Sequence, residues 1–155
     1  MELRDHATDD FLALSLCGYQ FERVTDQWDS NWLLMQIDGS LNGRSWTTTD
    51  PCLDTFEVEA LARWLLAAAD APVTLEPLGF TEPRLSFELA DEPTDLIHIR
   101  IWLELEARPP WANKGFVDER DLALDLVLSS RDVRDGADAL LAQLANYPTR
   151  VERSI

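Results

Sequence analysis

Asn31-Trp32-Leu33-Leu34-Met35-Gln36-Ile37-Asp38-Gly39-Ser40-Leu41-Asn42-Gly43-Arg44-Ser45-Trp46-Thr47-Thr48-Thr49 is the stretch whose reading decides the fold. Leu33, Met35 and Ile37 stand two residues apart, so an extended chain puts them on one face. Asn42-Gly43 is a strong hairpin signal, because a two-residue turn of this kind needs positive φ at both positions. The segment therefore predicts an antiparallel hairpin, 31–41 paired with 44–49. Asp38-Gly39 reads as a bulge in the first arm. Asp50-Pro51 reads as the stop of the second.

Working outward, Leu12, Leu14 and Leu16 alternate with Ala13, Ser15 and Cys17 and predict a strand over 11–19, with Cys17 counted in the core. Downstream, Asp54-Thr55-Phe56-Glu57 has the form of a capping box. Behind it Val58, Leu61, Trp64, Leu65 and Ala68 recur at helical spacing, which predicts a helix over 55–69. Glu59 and Arg63 sit four apart on another face of it. Pro72, Pro77 and Pro83 punctuate two short strands, 73–77 and 85–89. Two longer strands follow. In 97–107 the residues Ile97, Ile99, Ile101, Leu103 and Leu105 alternate with His98, Arg100, Trp102, Glu104 and Glu106, and in 122–128 four leucines share a face. A second helix is expected over 132–146, with Val133, Ala137, Leu140, Leu141 and Leu144 in one stripe. It contains Gly136, at a cost of about 1 kcal/mol relative to Ala, and ends at Pro148.

Hairpin-like connections without regular strand–helix alternation predict an α+β fold: a mostly antiparallel sheet of about six or seven strands with two amphipathic helices. There is no internal repeat, low-complexity stretch or linker, so residues 1–155 are expected to form a single domain. At this length a hydrophobic core is attainable without disulfides or metals.

The charge is lopsided. Thirteen Lys and Arg against twenty-nine Asp and Glu leave a net charge of −16. Phosphate backbones and anionic lipids are repelled by such a surface, so neither nucleic acid nor membrane is expected as a partner. A basic protein would be attracted and its approach steered. Solubility alone is the competing reason for the acidity. The start, Met1-Glu2-Leu3-Arg4-Asp5, lacks the basic and apolar regions of a signal peptide, and no apolar run reaches membrane-span length. Reduced, cytoplasmic and soluble is the expectation.

Catalytic chemistry finds little support. His6 and His98 stand in no metal-binding spacing, and His98 reads as an exposed strand histidine beside Arg100. No D-x-D-x-D-G calcium loop occurs. There is no G-x-S-x-G elbow, and Cys17 and Cys52 fit no zinc or redox motif. Six scattered glycines make no phosphate cradle. Glu104 and Glu106 could form a carboxylate pair on one strand face, though a solvated face explains them as well. The expectation is a non-enzyme with no cofactor and no metal.

An ordered set of local patterns supplies a resemblance. Tyr19-Gln20-Phe21 leads to Asp29-Ser30-Asn31-Trp32-Leu33, then to Ser45-Trp46-Thr47 and Asp50-Pro51-Cys52-Leu53-Asp54-Thr55. Gly79-Phe80-Thr81-Glu82-Pro83-Arg84-Leu85-Ser86-Phe87, Arg108-Pro109-Pro110-Trp111 and Tyr147-Pro148-Thr149-Arg150 follow. From about residue 11 to 150 the chain resembles the WapI-type immunity proteins of bacterial contact-dependent toxin systems. The resemblance implies a cytoplasmic antitoxin that binds the toxic C-terminal domain of a large secreted or wall-associated protein. Several such toxins are nucleases, whose cationic active sites an acidic inhibitor can occupy. The alternatives are an acidic domain with a housekeeping partner or small ligand, and an enzyme of unrecognised type. A neighbouring gene for a repeat-containing secreted protein favours the first reading, and a solitary gene the second.

The matched residues read as structural first, with Trp32 and Trp46 packing across the hairpin. Partner contacts are expected instead on exposed loops that set an aromatic beside acids. Two loops qualify: Asp26, Trp28 and Asp29, and Trp111 with Asp118, Glu119 and Asp121. The competing reading is that these tryptophans plug the ends of the sheet.

Overall fold

The computed structural model describes residues 1–26, 28–70, 74–90, 94–113 and 120–154. Seven strands and two helices make an α+β fold, as expected, but the strands divide into two antiparallel sheets. The first, in order β1-β2-β3-β4, comprises Glu2–Arg4, Phe11–Tyr19, Trp32–Leu41 and Arg44–Asp54. The second, β5-β6-β7, comprises Leu85–Leu89, Ile97–Leu103 and Ala123–Leu128. Helix α1 is Thr55–Ala69 and α2 is Ser130–Leu144.

The alternation rule places the core correctly. Leu12, Leu14, Leu33, Met35 and Ile37 from the first sheet meet Ile99, Ile101, Leu124 and Leu126 from the second in one buried cluster. The stripe of α1 and the Val133, Ala137 and Leu140 face of α2 close it. Each such aliphatic side chain contributes about 1.5–3 kcal/mol on burial. At the start of α1, Asp54 Oδ1 accepts from Glu57 N at 2.9 Å and Glu57 Oε2 from Asp54 N at 3.2 Å, the expected capping box. Helix α2 begins two residues before the expected start because Ser129 caps it, its hydroxyl accepting from Asp132 N at 3.0 Å.

The two sheets meet at β1 and β7. His6 N donates to Val127 O at 2.9 Å, and the Asp5 carboxylate accepts from Val127 N at 2.7 Å. The same carboxylate takes Ala7 N and Thr8 N, both at 2.8 Å. Burial alone would push the Asp5 carboxyl up. The amides of Val127, Ala7 and Thr8 outweigh it and hold the group below its ordinary value.

Several expectations need correction. Asp50-Pro51 does not stop the third strand, which runs on to Asp54. Strand β4 lies at the edge of its sheet, where a proline's missing N–H need not break the ladder. The pairing steps from Leu33↔Leu53 to Leu34↔Pro51, which leaves Cys52 as the extra, bulged residue. Asp38-Gly39 is in regular register and is no bulge; Gly39 faces Trp46. The second bulge falls at Cys17, which is exposed rather than core. Trp32 and Trp46 do not pair across the hairpin, because Trp32 opposes Asp54 and Trp46 opposes Gly39. In the expected strand 73–77, Val73 lies outside the described residues, 74–77 are not strand, and Leu78 makes a single bridge to Phe87.

Strand β6 stops at Leu103, not 107. Leu105 takes φ 50° and opens a 3-10 turn, Leu105–Ala107. Glu104 and Glu106 therefore share no strand face. The first lies 3.9 Å from Arg120, and the second accepts from Arg84 at 2.9 Å. Strand β1 was not anticipated at all.

Candidate protein-contact surface

The connection between β2 and β3 is built around one carboxylate. Asp26 Oδ1 accepts from the backbone N–H groups of Trp28 and Asp29, each at 2.8 Å, which closes an Asx turn. Ser30 N returns to Asp26 O at 3.3 Å, and Ser30 Oγ accepts from Thr25 N at 2.9 Å. Asp26 therefore shapes the loop from inside. Trp28, at its tip, is 71% exposed, the most exposed of the large apolar side chains described. Asp29 is exposed beside it. Phe21, 39% exposed, and Val24, 59% exposed, lie on the same loop. The sequence reading missed both, because neither stands next to a tryptophan in the chain.

The foot of this loop is strapped by the chain beyond α2. The buried Asn31 side chain accepts from Arg150 N at 2.8 Å and donates to Val151 O at 2.6 Å. Arg150 Nη1 donates to Phe21 O at 2.7 Å, and its guanidinium lies 3.4 Å from the Tyr19 ring centroid. The Tyr19 hydroxyl donates to Pro148 O, and Arg153 pairs with Asp54. These contacts tie the chain around residue 150 to both ends of the loop.

Beside the loop opens a cleft of about 300 Å³, lined by Gln20, Asp29, Trp32, Asp50, Glu82 and Arg84 among others. Arg84 sits between two carboxylates, its Nε 2.8 Å from Asp50 Oδ2 and 2.9 Å from Glu106 Oε2. The N–H points at Glu106, so the buried Asp50 Oδ2 has a charge beside it but no hydrogen bond directed to it. Burial pushes the Asp50 carboxyl up, Arg84 opposes this, and Glu106 and Glu82 add to it.

The second anticipated loop is organised differently. Trp111, in the 3-10 turn Pro110–Ala112, packs edge-on to Trp46 with ring centroids 6.0 Å apart. The Arg44 guanidinium covers it at 4.1 Å. Asp121 pairs with Arg108, whose buried side chain also donates to Ala112 O at 3.0 Å. Trp111 thus packs against the β3–β4 hairpin, and Asp121 is held by Arg108. Asp118 and Glu119 lie outside the described residues.

Burial pushes the Cys52 thiol up to about 12, so it stays protonated. His98 Nε2 lies 3.0 Å from Thr94 Oγ1. Among the described residues no group of three or more His, Cys, Asp or Glu is arranged to hold a metal ion. No helix among them is long and apolar enough to cross a membrane.

No curated protein and no solved structure matches the chain. A family model does, described as the immunity protein WapI-like family, and its match runs over residues 3–148. That span takes in both helices, the β2–β3 loop and, but for Glu2, both sheets, and the chain belongs to the WapI-like immunity protein family.

Proposed function

We propose that this chain is the immunity protein of a bacterial polymorphic toxin system of the contact-dependent kind. It acts in the cytoplasm, binds the toxin domain of a cognate secreted protein and neutralises it by steric and electrostatic blocking, without catalysis. The observation that carries this reading is the family match over nearly the whole chain. The charge supports it and adds that the partner is basic. Arginines 63, 84, 100, 108, 120, 134 and 153 are engaged in ion pairs within the molecule, so the field it presents to a partner is that of the surplus acids. A nuclease, with its cation-lined substrate groove, is the toxin type that such a field suits best. The same field disfavours nucleic acid and anionic lipid as partners.

Of the two candidate loops, the one carrying Asp26, Trp28 and Asp29 is the better contact. Asp26 forms the turn, Trp28 supplies the anchor, and Asp29 supplies charge. Trp111 and Asp121 already have partners within the chain and serve that loop's structure. The test is co-expression with the toxin domain encoded beside the gene. Cells making both proteins should survive, whereas cells making the toxin domain alone should not. Equal killing in the two cases would contradict the reading.

A further inference from the structure

Three of the five exposed large apolar side chains among the described residues belong to one loop: Phe21, Val24 and Trp28. None of them is needed to form it. The turn is closed by Asp26 and Ser30, and the foot is fixed by Asn31 and Arg150. Apolar surface held out in water by polar contacts that do not depend on it is the mark of a contact site rather than of a displaced core. The strap lowers the entropy lost on binding, because the foot of the loop is already fixed.

The surroundings fix the chemistry of the partner. Within the loop Glu22, Asp26 and Asp29 outnumber Arg23. In the adjoining cleft Asp29, Asp50 and Glu82 outnumber Arg84, which is itself shared with Glu106. A cation entering there meets a surplus of negative charge, with the exposed Asp29 at the edge of the cleft.

We infer that the Phe21, Val24 and Trp28 loop and the acidic cleft beside it form one docking surface, and that its occupant is a protein segment presenting an apolar socket next to arginine or lysine side chains. This rests on the toxin-binding reading, with the basic toxin domain as the occupant. Trp28 fills the socket and sets the lifetime of the complex. The cleft receives the cation and sets the rate of encounter, since long-range charge acts mainly on association.

The experiment measures association and dissociation of the full chain with the purified toxin domain encoded beside its gene, by biolayer interferometry at 0.1 M and 1 M salt. Trp28→Ala and Trp28→Ser should leave the melting temperature unchanged and speed dissociation by roughly tenfold or more. Asp29→Lys with Glu82→Lys is set against Asp132→Lys with Asp135→Lys on α2, an equal change in net charge at a different site. The pair at the cleft should slow association more than the α2 pair at 0.1 M salt, and the gap should close at 1 M as screening shortens to about 3 Å. Dissociation within twofold of wild type for both Trp28 variants, or equal slowing by the two charge reversals, would overturn the surface while leaving toxin binding intact. A wild-type protein that does not bind the domain at 0.1 M salt would overturn the toxin-binding reading, and the surface with it.

Discussion

A Cβ built on Gly39 would lie 2.3 Å from Trp46 Cη2, and one built on Gly136 would lie 2.9 Å from Leu3 Cδ2. The two glycines look alike in the sequence, yet they carry opposite consequences. At Gly39 the obstacle is a rigid indole wedged between the β3–β4 pair and Trp111, so Gly39→Ala must push the ring out of place. We expect a loss of about 1–3 kcal/mol. At Gly136 the obstacle is the methyl tip of the buried Leu3, which must shift slightly at a small cost, and Ala offsets this with about 1 kcal/mol of helix propensity. Gly136→Ala should therefore come out near neutral. Urea midpoints of the two variants check this, and a Gly136→Ala loss as large as that of Gly39→Ala would contradict it. The same pair marks the limit of reading at this scale. Asp54 and Glu57 declare a capping box by local spacing alone. The Asn42-Gly43 turn sets Gly39 opposite Trp46 by register, but nothing near Trp111 announces Arg44 and Trp46 as its partners.

Among the elements, the seam between β1 and β7 rests on Asp5. Its Oδ1 takes two amides and its Oδ2 takes Val127 N, so both oxygens face donors. Asn would turn one N–H toward a donor, and Asp5→Asn should cost about 1–3 kcal/mol at neutral pH. The sign of the pH dependence follows from the carboxyl being held below its ordinary value of 3.8 in the folded chain. The unfolded chain binds the proton more readily, so the stabilisation is complete above that value and is lost as pH falls through the lower, folded one. The stability gap between wild type and Asp5→Asn should stay constant down to about pH 5 and narrow below about pH 4. Urea unfolding across that range measures it, and a gap that widens in acid would contradict the assignment. The seam was not legible in the sequence, because three residues of β1 are too few to show alternation. Strands β2, β3 and β7 and both helices were legible, since each keeps its period over six or more residues. Pro51 misled because its tolerance depends on β4 being an edge, a fact of topology rather than of local sequence.

For the whole molecule, charge and family could be read from the chain, whereas the organisation of the contact surface could not. The −16 balance and the ordered motifs point to an acidic binder of the WapI-like family before any fold is known. Trp28 could be singled out by the acids around it. Phe21 and Val24 could not, because nothing local in the chain distinguishes an exposed Phe or Val from one packed in the core. The central claim is that this fold neutralises a basic toxin domain by occupying it, one molecule for one. Calorimetric titration of the purified toxin domain with the full chain at low salt tests that most directly. The account predicts a sharp inflection at one equivalent, with weaker apparent association as salt rises. Absence of any binding heat at low salt, together with separate elution of the two proteins on gel filtration, would contradict it.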